Sequence, residues 1–268
     1  MPELPEIASR AREMKQDLHG KTIRGIEVLQ PKCLNVSKKA FVKALTGARI
    51  LDVTHRGKWL FVETTQGWLL LNLGMGGELL LVTHDTLPQK HRLVFDFADG
   101  TRLSVNFWWF GYVHYVAADK LAKHAMTAKL GPNALDLNAN ALRGLLKGQR
   151  GQIKAFLLNQ AKIAGIGNAY IHDILFLARL HPLRTINTLT DAEIDVLAQA
   201  IYAGLQPSVD KGGAFYEVSL HGKKGGFTAD DILIGYKEGK PCPTCKTRIK
   251  KIKTGGTSSF ICPRCQRE

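Results

Sequence analysis

Apolar residues at positions 7, 8, 11, 14 and 18 recur at three- and four-residue intervals, which predicts a helix over residues 5–18 closed by Gly20. Residues 21–29 then turn strand-like around Ile23, Ile26 and Val28. Ser37 is placed to cap a short helix carrying Phe41, Val42 and Leu45, ended by Gly47. From 48 to 116 the chain becomes a succession of short β-rich runs at 50–54, 59–64, 68–73, 78–82, 92–97 and 101–107. Gln66-Gly67 and Asp99-Gly100 are hairpin signals between them. So many short runs in succession predict an antiparallel sandwich or barrel. After Leu130-Gly131-Pro132 the pattern turns helical, with candidates at 138–146, 153–160, 168–180 and 190–205. The last opens on a capping box, Thr190 with Glu193, and repeats Ile194, Leu197, Ile201 and Leu205 on one face. This change of texture places a domain boundary near Leu130. The glycine-rich stretch 211–226 is expected to be a mobile loop near a phosphate or ligand.

Charge narrows the class of partner. The chain has 268 residues, a formal charge of +14 and a pI of about 9.6, which calls for a polyanion, nucleic acid before an anionic membrane. No apolar run approaches the ~20 residues that cross a bilayer. Two glutamates precede any apolar stretch, so no export signal is expected and the protein should be cytoplasmic. Four of the five cysteines fall in the last 27 residues, and in such a compartment that spacing indicates metal instead of disulfides. Cys242-Pro-Thr-Cys245, sixteen residues, then Cys262-Pro-Arg-Cys265 is the two-knuckle pattern of a tetrahedral four-cysteine zinc site. With four thiolate ligands no position is left open, so that zinc is structural. Nine Lys or Arg residues from Lys237 onward surround the knuckles, a composition suited to DNA contact. Cys33 stands alone and reads as a small core filler.

Two further stretches carry chemistry. The chain opens Met1-Pro2-Glu3-Leu4-Pro5-Glu6. Removal of the initiator methionine would leave Pro2 with a secondary amine, and an α-amino group titrates near pH 8, so part of it is nucleophilic at neutral pH. Its attack on an aldehyde carbon gives an iminium that cannot lose its charge and so acts as an electron sink. Glu3 is next to it and able to move protons. A plain helix start is the alternative reading, with Pro5 in the first turn and both glutamates against the dipole. Gly165-Ile166-Gly167-Asn168 lies between two predicted helices and offers a helix N-terminus to a phosphate, with Lys154 within reach; an ordinary helical hairpin is the alternative.

The opening hexapeptide, the Gly165–Tyr170 segment Gly-Ile-Gly-Asn-Ala-Tyr and the four-cysteine finger, in this order, resemble the formamidopyrimidine-DNA glycosylase/endonuclease VIII family. Leu4 in the opening motif is similar to the formamidopyrimidine branch. The resemblance runs end to end. It implies an α+β multidomain fold: a β-sandwich with the N-terminal helix over 1–130, a helix–two-turn–helix domain over 131–236, and a zinc finger over 237–268. It implies a monomeric enzyme of base excision repair on damaged double-stranded DNA, cleaving the strand by β/δ-elimination, with one structural Zn2+. By the same resemblance Pro2 is the nucleophile, Glu3 the acid/base and Lys58 the hairpin lysine that assists elimination. Lys154 and Asn168 match phosphate ligands, Met75 the residue wedged into the gap left by a flipped base, and Phe110 the aromatic beside it. Glu6 matches a second acidic position.

Two positions depart from the branch. Trp108 stands where an Arg reads the base opposite the lesion, and Thr257 where a finger Arg grips phosphate. Trp108 and Trp109 suit either a buried core or an exposed stacking surface. A DNA-binding relative without catalysis is the alternative function; retention of Pro2, Glu3 and Lys58 together favours the enzyme.

Overall fold

The computed structural model describes residues 1–267, which separate into two compact units, Met1–Lys129 with Lys211–Gly226, and Leu130–Asp210 with Phe227 onward. Among the described residues no helix is long and apolar enough to cross a membrane.

The first unit opens with helix α1 (Leu4–Leu18), followed by β1 (Ile23–Val28), α2 (Lys38–Leu45) and strands β2 (Ile50–Arg56), β3 (Trp59–Thr64), β4 (Gly67–Asn72), β5 (Glu78–Val82), β6 (Leu93–Phe97), β7 (Arg102–Asn106) and β8 (Tyr112–Val116). The strands form two antiparallel four-stranded sheets, ordered β1-β6-β7-β5 and β2-β3-β4-β8. One core joins them: Phe95, Phe97 and Leu103 from the first sheet pack with Val53, Leu60, Val62 and Leu71 from the second. The predicted helical face is the buried one, since Ile7, Ala11, Met14 and Leu18 are all within 3% of full burial, and α1 packs on β2 and β3. Burying each of its large side chains contributes about 1.5–3 kcal/mol. Ser37 caps α2 as expected, its Oγ accepting from Ala40 N.

The stretch Lys211–Gly226 belongs to this unit although the helices of the second unit intervene in the chain. Its composition suggests mobility, yet it is tied to α1. Ala214 N donates to Glu6 Oε1 at 3.1 Å and Leu220 N to Glu13 Oε2 at 2.7 Å, while the Leu220 side chain is fully buried in the sandwich core. Carboxylates on α1 thus satisfy backbone donors that a free loop would leave to water.

The second unit contains α3 (Ala139–Leu146), α4 (Ile153–Leu158), α5 (Ile171–Leu177), α6 (Asp191–Asp210) and the hairpin β9 (Lys250–Thr254) with β10 (Thr257–Ile261). Helix α6 packs on α3 and α5, and its capping box is formed: Thr190 N donates to Glu193 Oε2 at 2.8 Å and Glu193 N to Thr190 Oγ1 at 3.2 Å. Asp173 in the first turn of α5 accepts from the backbone N–H groups of Leu233, Ile234 and Gly235 at 2.7–2.9 Å, which anchors the entry to the cysteine-rich hairpin.

Candidate active site and nucleic-acid interface

Glu3 is the N-cap of α1 and only 4% exposed. It forms a reciprocal capping box with Glu6, whose Oε2 accepts from Glu3 N at 2.8 Å. This is the plain helix start anticipated from the sequence, but a second feature sits on it. Gly57, at φ +57°, turns the chain between β2 and β3 so that Lys58 Nζ comes to 3.9 Å from Glu3 Oε1. The Lys58 side chain is 15% exposed, and its carbonyl accepts from Asn72 Nδ2 at 3.1 Å, which fixes the hairpin. Pro2 is buried beside this pair. Pro2, Glu3 and Lys58 are thus gathered at one helix N-terminus.

A second cluster lies on the turns after β4 and β7. Met75 N donates to Trp109 O and Trp108 N to Met75 O, both at 2.9 Å, so the two turns are laced together. Gly74 makes this possible: at φ +53°, a Cβ there would fall 2.2 Å from Trp109 O. The lacing presents Met75 (46% exposed), Trp108 (69%) and Phe110 (69%) to solvent. Trp108 and Trp109 are therefore surface residues, and the core reading is set aside. A pocket beside them, lined by Gln30, Lys32, Arg92, Phe107 and Trp108 among others, has a volume of about 460 Å³.

In the second unit Lys154 is 3% exposed. Its Nζ donates to Thr254 Oγ1, Thr257 Oγ1 and Ser258 O at 2.9 Å and to Ser259 Oγ at 2.8 Å, all on the β9–β10 hairpin. Burial without a counter-charge lowers its pKa to about 8. The hydroxyl of Thr257, where the branch has Arg, is thus one of the acceptors for this ammonium. Asn168 precedes α5 by three residues and is not its cap; its Nδ2 donates to Tyr236 Oη at 3.4 Å, and Tyr236 Oη donates to Asn168 O at 3.3 Å. Tyr236, 58% exposed at φ +59°, is a residue that the sequence does not single out. Its only local signal is an exposed tyrosine six residues before the first finger cysteine.

The sulfurs of Cys242, Cys245, Cys262 and Cys265 lie within 4.8 Å of one another. Cys242 and Cys265 are 3.9 Å apart and Cys245 and Cys262 3.4 Å. Tetrahedral zinc with Zn–S near 2.3 Å requires sulfur separations of about 3.8 Å, so the donor set fits one closed zinc. Lys250, Lys251 and Lys253 on β9 are exposed beside it.

A two-sheet unit with an acidic, lysine-flanked helix start, a helical unit and a basic, closed four-cysteine hairpin suit a zinc-finger protein that binds a polyanion, and comparison with known proteins specifies the class. Residues 1–107 match the Formamidopyrimidine-DNA glycosylase N-terminal domain, 130–219 the Formamidopyrimidine-DNA glycosylase H2TH domain, and 239–267 the zinc finger found in FPG and IleRS. Relatives named formamidopyrimidine-DNA glycosylase include one from Chloroflexus aurantiacus, 37% identical over 99% of this chain and 98% of its own, and one from Edwardsiella ictaluri, 33% identical over the whole of both. Among solved structures, the Lactococcus lactis Fpg bound to DNA with an abasic site superposes at a TM-score of 0.91, with 30% identity over 99% of this chain and 100% of that one. MutM bound to DNA with carbocyclic 8-oxo-G superposes at 0.90, with 31% identity over the whole of both. The chain belongs to the formamidopyrimidine-DNA glycosylase family.

Proposed function

We infer that the protein is a base-excision DNA glycosylase with AP lyase activity, acting on oxidised or ring-opened bases in duplex DNA. The observation that carries this reading is Lys58 Nζ at 3.9 Å from Glu3 Oε1, on a helix start next to Pro2. A helix cap alone has no use for a lysine brought in on a separate hairpin. The Pro2 amine, freed of Met1, attacks C1′ of a flipped nucleotide, and Glu3 protonates the ring oxygen as the sugar opens. The resulting iminium acidifies C2′–H, so the 3′-phosphate departs by β-elimination and the 5′-phosphate by δ-elimination. Lys58 steadies the departing phosphate charge.

Met75 and Phe110 fill the space the nucleotide leaves, and Trp108 stacks on the unpaired base. Asn168 and Tyr236 hold backbone phosphate, with Tyr236 the addition to the set read from the sequence. Lys154 serves the same interface by holding the finger hairpin, whose zinc fixes its shape when bound and takes no part in the reaction. Residues 1–130, with Lys211–Gly226, form the catalytic domain, the rest of 131–236 the helix–two-turn–helix domain and 237–268 the finger. Chromosomal DNA as substrate puts the protein at the nucleoid, in the cytoplasm.

Borohydride reduction on abasic DNA tests this directly. A covalent adduct mapping to Pro2 is expected, and Glu3→Gln should suppress base excision more than cleavage of preformed abasic sites. Absence of any adduct from protein whose intact mass shows Met1 removed would leave the non-catalytic DNA binder as the better reading.

A further inference from the structure

One carboxylate near the Met1 amine has no place in the mechanism above. Glu217 lies on the Lys211–Gly226 segment, its side chain 13% exposed, with Oε1 4.0 Å from the amino nitrogen of Met1. Its backbone is fixed from both sides: Glu217 N donates to Ala214 O at 2.9 Å and Gly225 N to Glu217 O at 3.0 Å. The segment itself is seated on α1, since Ala214 N donates to Glu6 Oε1, and a Cβ on Gly213 would fall 3.1 Å from Glu6 Cγ. The charged groups facing Glu217 are the terminal amine, Glu3, and Glu6 and Arg10 on α1. Burial, reinforced by Glu6 and Glu3 and opposed by the amine and Arg10, pushes the Glu217 carboxyl up to about 7.

What Met1 occupies gives this contact its meaning. The carbonyl carbon of Met1 is bonded to the Pro2 nitrogen, the atom to which C1′ of the sugar would bond once Met1 is removed. The Met1 amino group lies two bonds beyond that carbon. Glu217 thus faces the group carried by the Pro2 nitrogen, whereas Glu3 and Lys58 face each other at the helix start.

We propose that Glu217 carries a proton from the proline amine to the departing base. As the Pro2 N–C1′ bond forms, the nitrogen loses its proton to the Glu217 carboxylate. As the C1′–N glycosidic bond breaks, its electron pair goes to the base nitrogen, and Glu217 returns the proton there. The sugar ends on Pro2, the base leaves neutral, and Glu217 is restored without any further reactant. A group that alternates between acid and base in this way works best with its pKa near the operating pH.

This assignment rests on the glycosylase reading, and the test separates the two. Protein lacking Met1 by intact mass is assayed in single turnover on a duplex with one formamidopyrimidine base, and on the same duplex with an abasic site at that position. Glu217→Gln should lower the ratio of excision to abasic-site cleavage at least tenfold and remove a carboxyl limb from the excision pH profile. Glu217→Asp, which keeps the carboxylate, should recover part of both. A Glu217→Gln variant with the wild-type ratio and pH limb would overturn the proposal. So would an equal fall in both activities, which would make Glu217 a support for the amine or the fold. Wild-type protein that forms no borohydride adduct on abasic DNA would instead bring down the glycosylase reading beneath it.

Discussion

Trp108 offers an indole where the branch offers a guanidinium. An Arg can make two hydrogen bonds to the acceptor edge of a base, and a good bidentate contact discriminates by about 1–3 kcal/mol. The indole has one N–H and no charge, and at 69% exposure its flat face is free to stack. Stacking contributes about 1–3 kcal/mol per base and tolerates any base. Excision by this protein should therefore depend weakly on the base opposite the lesion, and Trp108→Arg should raise the preference for cytosine about tenfold. The measurement is single-turnover excision of one lesion opposite each of the four bases. A strong cytosine preference in the wild type, retained in Trp108→Ala, would assign the reading to another residue. Arg92, which lines the same pocket, would be the first to examine.

Strand β8 shows what an element can hide from its sequence. It closes the second sheet against β4 and falls inside the β-rich stretch 48–116, but the sequence does not single out its Tyr-Val-His-Tyr-Val as a run of its own. His114 is buried on it, and its Nδ1 shares a hydrogen bond of 2.8 Å with His124 Nε2, while His124 Nδ1 lies 2.8 Å from Thr127 Oγ1. Trp59 packs against both imidazoles. Burial, with His124 adding to it, pushes His114 down to about 4, and burial lowers His124 as well. A histidine held neutral in the fold takes up its proton more readily when unfolded. Its stabilisation is complete above about pH 6.5 and is lost as pH falls towards 4, costing about 2–3 kcal/mol for His114. Denaturant titrations at stepped pH should show that slope, and His114→Phe should flatten it; an unchanged slope in the variant would place the titration elsewhere. The same element explains the limits of reading the chain alone. Helix α1, the Thr190–Glu193 capping box and the cysteine knuckles are legible because each is written within a few residues. The return of Lys211–Gly226 to α1, the pairing of Tyr236 with Asn168 and the approach of Glu217 to the amine depend on contacts across 68 residues or more, and no local periodicity encodes them.

At the scale of the whole chain, the +14 charge governs how tightly any DNA is held, and its distribution decides which cations do the holding. Each phosphate neutralised contributes about 0.9 to the slope of log affinity against log salt. Lys250, Lys251 and Lys253 are exposed on β9 and free to meet phosphate, whereas the Lys154 ammonium is enclosed by four hairpin oxygens. These positions should therefore fail in different ways. Changing Lys250, Lys251 and Lys253 together to Ser should reduce the slope by about 2–3 and weaken lesion and undamaged duplexes alike. Lys154→Met should weaken binding with little change of slope, because it removes the donor that the Thr254, Thr257 and Ser259 hydroxyls share and loosens the hairpin. Its signature would be a lower melting temperature and faster loss of zinc to a chelator. Fluorescence anisotropy on one duplex from about 50 to 300 mM salt, paired with zinc release, separates the two kinds of lysine. If Lys154→Met keeps its zinc and stability but drops the slope by about 1, its ammonium meets a phosphate directly and the enclosed geometry opens when DNA binds.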